Sequence, residues 1–304
     1  MNGGRETNEF NTNGVESTMI WVILPAYNEA DSLPRLLPKL AATMGEHPGG
    51  YHVVVVDDGS TDATGELLAG YALTYPLSVV THAINRGLGE TERDAFEHVA
   101  SRCAPDDLVV RLDCDDTHEP EFLPQMLARM GEGFDVVSTS RFQPGGGQMG
   151  VSGYRAFISR AANLFMKAVF NIPGLKDYSC GYRAYRGQVL QDAVRVFGNN
   201  FLQLRGLGFT STLETVVKLH LLGCRFAEVP FMLRYDQKAS PSKMVSSVTT
   251  LGYLTMGLLY HWPFGGWRSQ YRGLRALYRK DRDGALGRYG LRSLRMRTAS
   301  RISL

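Results

Sequence analysis

With 304 residues, 44% of them hydrophobic and 21% charged, the chain can bury a large core and is too apolar to be a disordered polypeptide. Its net charge of +3 hides an asymmetry: eleven Lys/Arg stand against two Asp/Glu from residue 268 onward, which leaves −6 on the remainder. Cys103, Cys114, Cys180 and Cys224 lack the paired spacing of a structural metal centre and suit a reducing compartment, and polar residues 1–18 read as a disordered lead-in without a secretory signal.

Residues 19–25 (MIWVILP) form the first short apolar strand, followed by Ala26-Tyr27-Asn28-Glu29 and a helical pattern through Leu33, Leu36, Leu37 and Leu40. A second strand, 52–56, ends in Asp57-Asp58-Gly59-Ser60-Thr61-Asp62, whose Ser, Thr and Asp side chains cap a helix at 66–71. A third strand, 77–80, leads through Asn85-Arg86-Gly87-Leu88-Gly89 to a helix over 90–100. The aliphatic run from Leu108 to Leu112 then breaks into Asp113, Asp115 and Asp116, and a helix (121–130) and strand (135–140) follow. Strands alternating with helices at this spacing predict a mostly parallel α/β sheet of doubly wound, Rossmann-like type, flanked by helices. The polar constellations each follow a strand, which gathers them on one rim.

Beyond this half, residues 143–151 (QPGGGQMGV) read as a lid or linker, ahead of a helix over 154–170, the 177–186 segment, a helix over 212–222 and a strand over 225–233. No Asp, Glu, Lys or Arg occurs between Lys243 and Arg268. Within that run Met244, Val248, Leu251, Leu254 and Leu258 recur at helical spacing, with Ser and Thr between them, which predicts an amphipathic interfacial helix and not a spanning one. Trp262, Phe264 and Trp267 precede the basic tail, an arrangement that favours a membrane surface over nucleic acid as the anionic partner. The expected organisation is therefore a lead-in to residue 18, a catalytic domain over 19–243 and a membrane-interface tail over 244–304.

Three carboxylates crowded at the end of a buried strand repel one another unless a cation neutralises them, and hard oxygen ligands of this kind suit Mg²⁺ or Mn²⁺ bridging to a diphosphate. The alternative is an Asp-rich loop that caps the helix beginning near Glu119.

Taken together, Pro25-Ala26-Tyr27-Asn28-Glu29, the 57–62 loop and Asp113-Cys114-Asp115 resemble the inverting family 2 glycosyltransferases of GT-A fold, and within them the dolichol-phosphate and polyprenyl-phosphate mannosyltransferases. The resemblance runs from about Ile20 to Met244 and includes Asn85 to Gly89, Ser140-Arg141-Phe142, the 177–186 segment, Glu228-Val229-Pro230 and Arg234 with Ser242-Lys243. It implies that Pro25, Ala26, Tyr27, Glu29 and Asp58 hold the nucleoside. By the same resemblance Asp113 and Asp115 hold the ribose edge and the metal, Mg²⁺ or Mn²⁺. Asp116 has no counterpart, and Thr117 stands where close relatives carry an amide. Arg141, Arg155 and Ser159 match positions that grip the acceptor phosphate, and Arg155 and Ser159 stand four apart on one helix face. Arg234 and Lys243 are expected at the donor diphosphate or the acceptor phosphate.

The implied reaction moves a sugar, mannose favoured, from a nucleotide-sugar (GDP-mannose first, a UDP-sugar next) to a polyprenyl phosphate, at the cytoplasmic face of a membrane to which the protein binds peripherally. A phosphate acceptor needs no general base, so Glu214, which lacks a paired acidic neighbour, reads as structural or donor-orienting. His118 reads as an ordinary surface or core residue. Two other functions compete: transfer to a hydroxyl, which would require a carboxylate base, and a non-catalytic nucleotide-sugar-binding membrane subunit.

Overall fold

A computed structural model describes residues 18–238 and 246–290. The first half alternates β1 (Ile20–Ala26), α1 (Leu33–Met44), β2 (Tyr51–Asp57), α2 (Thr64–Tyr71), β3 (Leu77–Thr81), α3 (Leu88–Ala100), β4 (Leu108–Arg111), α4 (Leu123–Gly131) and β5 (Val136–Ser140). After β6 (Gly147–Met149) and the long α5 (Gly153–Phe170) come β7 (Arg183–Arg186), α6 (Gly187–Phe197), α7 (Thr210–Leu222), β8 (Phe226–Pro230) and β9 (Met232–Arg234). Four helices close the described chain: α8 (Ser246–His261), α9 (Trp267–Gln270), α10 (Leu274–Lys280) and α11 (Arg282–Tyr289).

Seven strands form one sheet in the order β3-β2-β1-β4-β7-β5-β8, parallel throughout except for β7, which runs against both neighbours. The strands read as unbroken apolar runs because both faces are covered. In β1, Ile23 faces a core layer that contains α3, α6 and α7, whereas Val22 and Leu24 face a second layer under α1 and α4. Val54 and Val56 alternate with Val53 and Val55 in the same way on β2.

The chain order reverses between β1 and β4: β2 and β3 are laid to one side of β1, and β4 to the other. A crevice opens outside the carboxyl ends of strands at such a reversal. Ala26, Asp57 and Arg111 are the last residues of β1, β2 and β4, so the loops that follow them line this crevice.

The C-terminal segments depart from the sequence expectation in informative ways. The strand expected over 225–233 is broken at Pro230, and the residues beyond it, β9, pair in parallel with β6, which lies inside the glycine-rich 143–151 stretch. Trp267, Tyr271, Leu274, Ala285 and Leu286 lie in the same core layer as α6 and α7. Asp192 on α6 accepts both arms of the Arg282 guanidinium (2.6 and 2.7 Å) and the Tyr278 hydroxyl (2.6 Å). Some of the basic tail therefore serves the fold.

Candidate active site

The crevice is built by loops that hold one another. The backbone N–H of Asn28 donates to Ser60 Oγ (2.9 Å), and its side-chain oxygen accepts from Thr61 N–H (2.8 Å). Glu29 N–H donates to Thr64 Oγ1 (2.8 Å). Pro25, Ala26, Tyr27 and Glu29 thus stand directly opposite the 57–62 loop at the ends of β1 and β2. Asp58 is buried, and its carboxylate accepts from the backbone N–H groups of Arg86 and Gly87 (both 2.8 Å) and contacts His82 Nδ1 at 2.7 Å. A carboxylate on these amides occupies the positive end of α3 and fixes the 85–87 turn. Asp58 therefore shapes the pocket wall through that turn.

At the end of β4, Arg111 is 2% exposed and lies between Glu92 Oε1 (2.8 Å) and Asp113 Oδ1 (2.6 Å). The contacts are ion pairs and not well-aligned hydrogen bonds. A buried guanidinium without counter-charges would cost several kcal/mol, so both carboxylates are needed where they are. Gly181 makes room for it, since a Cβ there would fall 2.1 Å from Arg111 Nη1. Burial raises the Asp113 pKa, but the charges of Arg111 and Lys238 outweigh it and hold the carboxyl down at about 2.

His118 corrects the sequence reading that made it ordinary. Its Nδ1 accepts the Asp113 N–H at 2.9 Å, and its Nε2 lies 3.6 Å from Asp113 Oδ2. The ring is stacked on Tyr182 and edged by Phe231. Burial lowers its pKa against the opposing pull of Asp113 and Asp115. A neutral ring that accepts at Nδ1 and carries its proton at Nε2 fits this geometry. His118 orients Asp113.

Asp115 Oδ1 accepts from the Thr117 hydroxyl (2.7 Å) and the Thr117 N–H (3.2 Å), and its Oδ2 pairs with Lys238 Nζ. Burial opposes the charge on Lys238, but Asp115, Asp113 and Glu29 outweigh it and raise its pKa. Asp116 turns away. Its backbone is left-handed (φ 61°), and its carboxylate meets Arg35 Nε (2.9 Å) and Lys39 Nζ (3.0 Å), which ties the loop to α1. Among the described residues no group of three or more His, Cys, Asp or Glu side chains is placed to hold a metal ion. Asp115 and Asp113 are hard oxygen donors of the kind that suits a divalent cation, and Asp115 Oδ2 faces the positive charge of Lys238.

The predicted phosphate grip is spread over β5, α5 and β9. Arg141 donates through Nε and Nη2 to both oxygens of Asp177 (2.7 and 2.8 Å), and through Nη2 to Ser179 Oγ (2.7 Å). Burial disfavours its charge, yet Asp177 outweighs burial and raises the Arg141 pKa. Nη1 makes no hydrogen bond among the described residues. Arg155 and the partly covered Ser159 lie on α5, with Arg155 exposed and its Nη1 3.0 Å from the Tyr235 hydroxyl. Arg234 forks onto Asp236 (3.0 and 2.9 Å), and its N–H donates to Thr117 O at 3.2 Å, which brings β9 over the Asp115 loop. Lys243 and Met244 lie outside the described residues.

Glu214 is fully buried on α7. Its two oxygens accept the N–H groups of Gln203 (2.9 Å) and Leu204 (2.8 Å), and Lys218 Nζ lies 3.8 Å away. That ammonium sits 3.8 Å over the Trp267 ring and 5.5 Å from the Phe197 ring. Burial pulls the Lys218 pKa down to about 8 against the opposing effect of Glu214, and burial raises Glu214.

On α8 the structure places Thr249, Gly252, Met256 and Tyr260 inward and leaves Leu251, Leu254 and Leu258 more than half exposed. The neighbouring α5 also exposes Tyr154, Phe157, Ile158 and Leu164, and Phe264 is 87% exposed. The sequence pattern had marked α8 and Phe264 but not the α5 side of this surface. Among the described residues no helix is long and apolar enough to cross a membrane.

Residues 21–193 match glycosyl transferase family 2. An undecaprenyl-phosphate mannosyltransferase of Micrococcus luteus is 32% identical over 230 residues, 75% of this chain and 88% of that protein. Polyprenol monophosphomannose synthase of Mycolicibacterium smegmatis is 34% identical over 172 residues, 56% of this chain and 62% of its own length. Among solved structures, glucosyl-3-phosphoglycerate synthase from Mycobacterium tuberculosis, in complex with Mn²⁺, UDP and glucosyl-3-phosphoglycerate, superposes with a TM-score of 0.53 at 17% identity and covers 84% of this chain and 85% of that one. That likeness bears on fold alone, and the fold is GT-A.

Proposed function

The chain belongs to glycosyl transferase family 2, and from that membership we propose that it transfers a sugar from a nucleotide-sugar to a polyprenyl phosphate at a membrane surface. The relatives named above act, by their names, on undecaprenyl phosphate and polyprenol, and one of the two is a mannosyltransferase by name. Mannose from GDP-mannose is the favoured donor reading, with a UDP-sugar as the alternative.

The observation that carries the acceptor reading is the engagement of the carboxylates. A hydroxyl acceptor needs a base within reach of its proton. Glu214 is sealed by two backbone amides and Asp58 by a helix N-terminus and His82, while Arg111 holds Asp113 ionised and so weakly basic. A phosphate acceptor is already ionised at neutral pH and needs none of them.

In this reading Pro25, Ala26, Tyr27 and Glu29 hold the nucleoside, within walls that Asp58 fixes. Asp113 and Asp115 would hold a divalent cation, Mg²⁺ or Mn²⁺, which neutralises the charge growing on the departing diphosphate. Arg111 and His118 keep Asp113 ionised and aimed. Arg141 offers its Nη1 edge to the acceptor phosphate while Asp177 locks the rest of the fork. Arg155 and Ser159 add donors from α5, and Arg234, with Lys243 beyond the described residues, meets the diphosphate. The acceptor oxygen then attacks the anomeric carbon in line, which inverts its configuration. The apolar surfaces of α5 and α8, with the exposed Phe264 and the basic tail, supply insertion and electrostatic attraction for peripheral attachment.

The test is to incubate the protein with Mn²⁺, a short polyprenyl phosphate and a panel of GDP- and UDP-sugars, and to follow lipid-linked sugar. One donor is expected to dominate. Absence of lipid-linked product from every donor would overturn the proposal.

A further inference from the structure

No sequence motif singles out Lys238, which stands at the centre of the site's charged groups. Its side chain is 11% exposed, and Asp115, its partner, is 14% exposed. The segment that carries it is tied to the carboxylate loop by one backbone hydrogen bond and one side-chain bridge. Arg234 N–H donates to Thr117 O at 3.2 Å, and Lys39 Nζ bridges Gln237 Oε1 (3.4 Å), Asp116 Oδ1 (3.0 Å) and Glu119 Oε1 (2.9 Å). The position of Lys238 is thus fixed by the fold on either side of the strand-end loop, and it is not the chance reach of a surface side chain. Asp113 has its own counter-charge in Arg111, so the ammonium of Lys238 is the one set against Asp115.

We propose that Lys238 is a resident counter-cation at Asp115, one that a divalent cation arriving with the nucleotide displaces and that then transfers its charge to the donor diphosphate. The inference rests on the reading of Asp115 as the cation ligand. A divalent ion and an ammonium on one carboxylate oxygen repel each other, so entry of the ion favours moving Lys238 away. A lysine moves easily, because its charge is a point at the end of a four-carbon stem. The anions nearest its new position are the phosphates that arrive with the metal. Lys238 thereby makes the empty site nearly neutral and leaves it a poor trap for free metal ions. Once the nucleotide is bound, the same side chain strengthens the hold on it. It is a positioning residue for donor and cation, and it makes their binding mutually dependent.

The experiment measures Mn²⁺ binding by the electron-paramagnetic signal of free Mn²⁺, first without nucleotide and then with saturating GDP or UDP. Wild type is compared with Lys238→Met, Lys238→Gln and Asp115→Asn, after circular dichroism has shown each variant folded. Removing the internal competitor should tighten Mn²⁺ binding alone by about tenfold, the factor by which a competent state of roughly a tenth abundance weakens apparent affinity. In the same Lys238 variants, nucleoside diphosphate should bind more weakly in the presence of Mn²⁺. Asp115→Asn should lose Mn²⁺ binding in both conditions. Mn²⁺ affinity that is unchanged or weaker in both Lys238 variants without nucleotide overturns the proposal, as does the absence of Mn²⁺ binding from wild type and variants alike. Neither readout involves an acceptor, so a wrong acceptor class would leave the metal titration intact while defeating the transfer assay.

Discussion

Asp115 and Glu214 each face a lysine, yet the two pairs do opposite work. Asp115 sits on a strand-end loop at the sheet reversal, where one oxygen accepts from the Thr117 hydroxyl and N–H and the other pairs with a lysine side chain. Glu214 sits mid-helix at 0% exposure, with two backbone amides in its grip and the lysine walled by Trp267 and Phe197. The rim pair is the one proposed to exchange its cation with an arriving ligand. The interior pair cannot exchange its own, and its charges hold the 203–204 turn and the C-terminal helices in place. A carboxylate's role follows from what can reach it.

The largest effect that separates the two is on turnover. Asp115→Asn is expected to lower sugar transfer by about 10²–10³-fold or more, the scale of removing one electrostatic stabiliser of a leaving group, with an unchanged melting curve. Transfer within a few-fold of wild type would move the cation to another site. Arg155→Ala comes next. Loss of one charge-assisted phosphate contact, about 1.5–3 kcal/mol, should raise the acceptor KM roughly ten- to a hundredfold and leave the donor KM alone. Equal rises in both would take Arg155 out of the acceptor site.

Glu214→Gln should behave in the opposite sense to Asp115→Asn: a stability loss of about 1–3 kcal/mol in urea from the disturbed amide contacts, and activity within a few-fold. Activity reduced by several orders of magnitude would make Glu214 a base and the acceptor a hydroxyl. The smallest effect is a pH dependence. Lys218 titrates at about 8 in the fold and at 10.5 ordinarily, so between these values the unfolded chain holds the extra proton and stability rises with pH. From pH 8 to 9 the gain is about 1 kcal/mol in wild type, and it should be absent from the stability curve of Lys218→Met. Parallel curves would place the ammonium in a less buried setting.

The parallel half of the sheet was legible because a strand covered on both faces must be apolar along its whole length, as residues 20–26 and 53–56 are. The antiparallel β7 was not, since Arg-Ala-Tyr-Arg carries two charges, and only tertiary partners such as Tyr178 O for Arg183 and Met130 O for Arg186 make it a strand. Asp113 and Asp115 stood out as carboxylates after an aliphatic run. Their supports did not, because Lys238 lies 123 residues from Asp115, and spacing along the chain carries no sign of such a pairing. One signal was available: Arg111 interrupts a buried strand, and a charge in that position demands a counter-charge.

The head group of the acceptor tests the account most directly. The same short polyprenyl chain, offered as its phosphate and as its free alcohol, is incubated with the favoured nucleotide-sugar and Mn²⁺, and lipid-linked sugar is measured for each. Product is expected from the phosphate alone, with inverted anomeric configuration. Product from the alcohol at a comparable rate would contradict it.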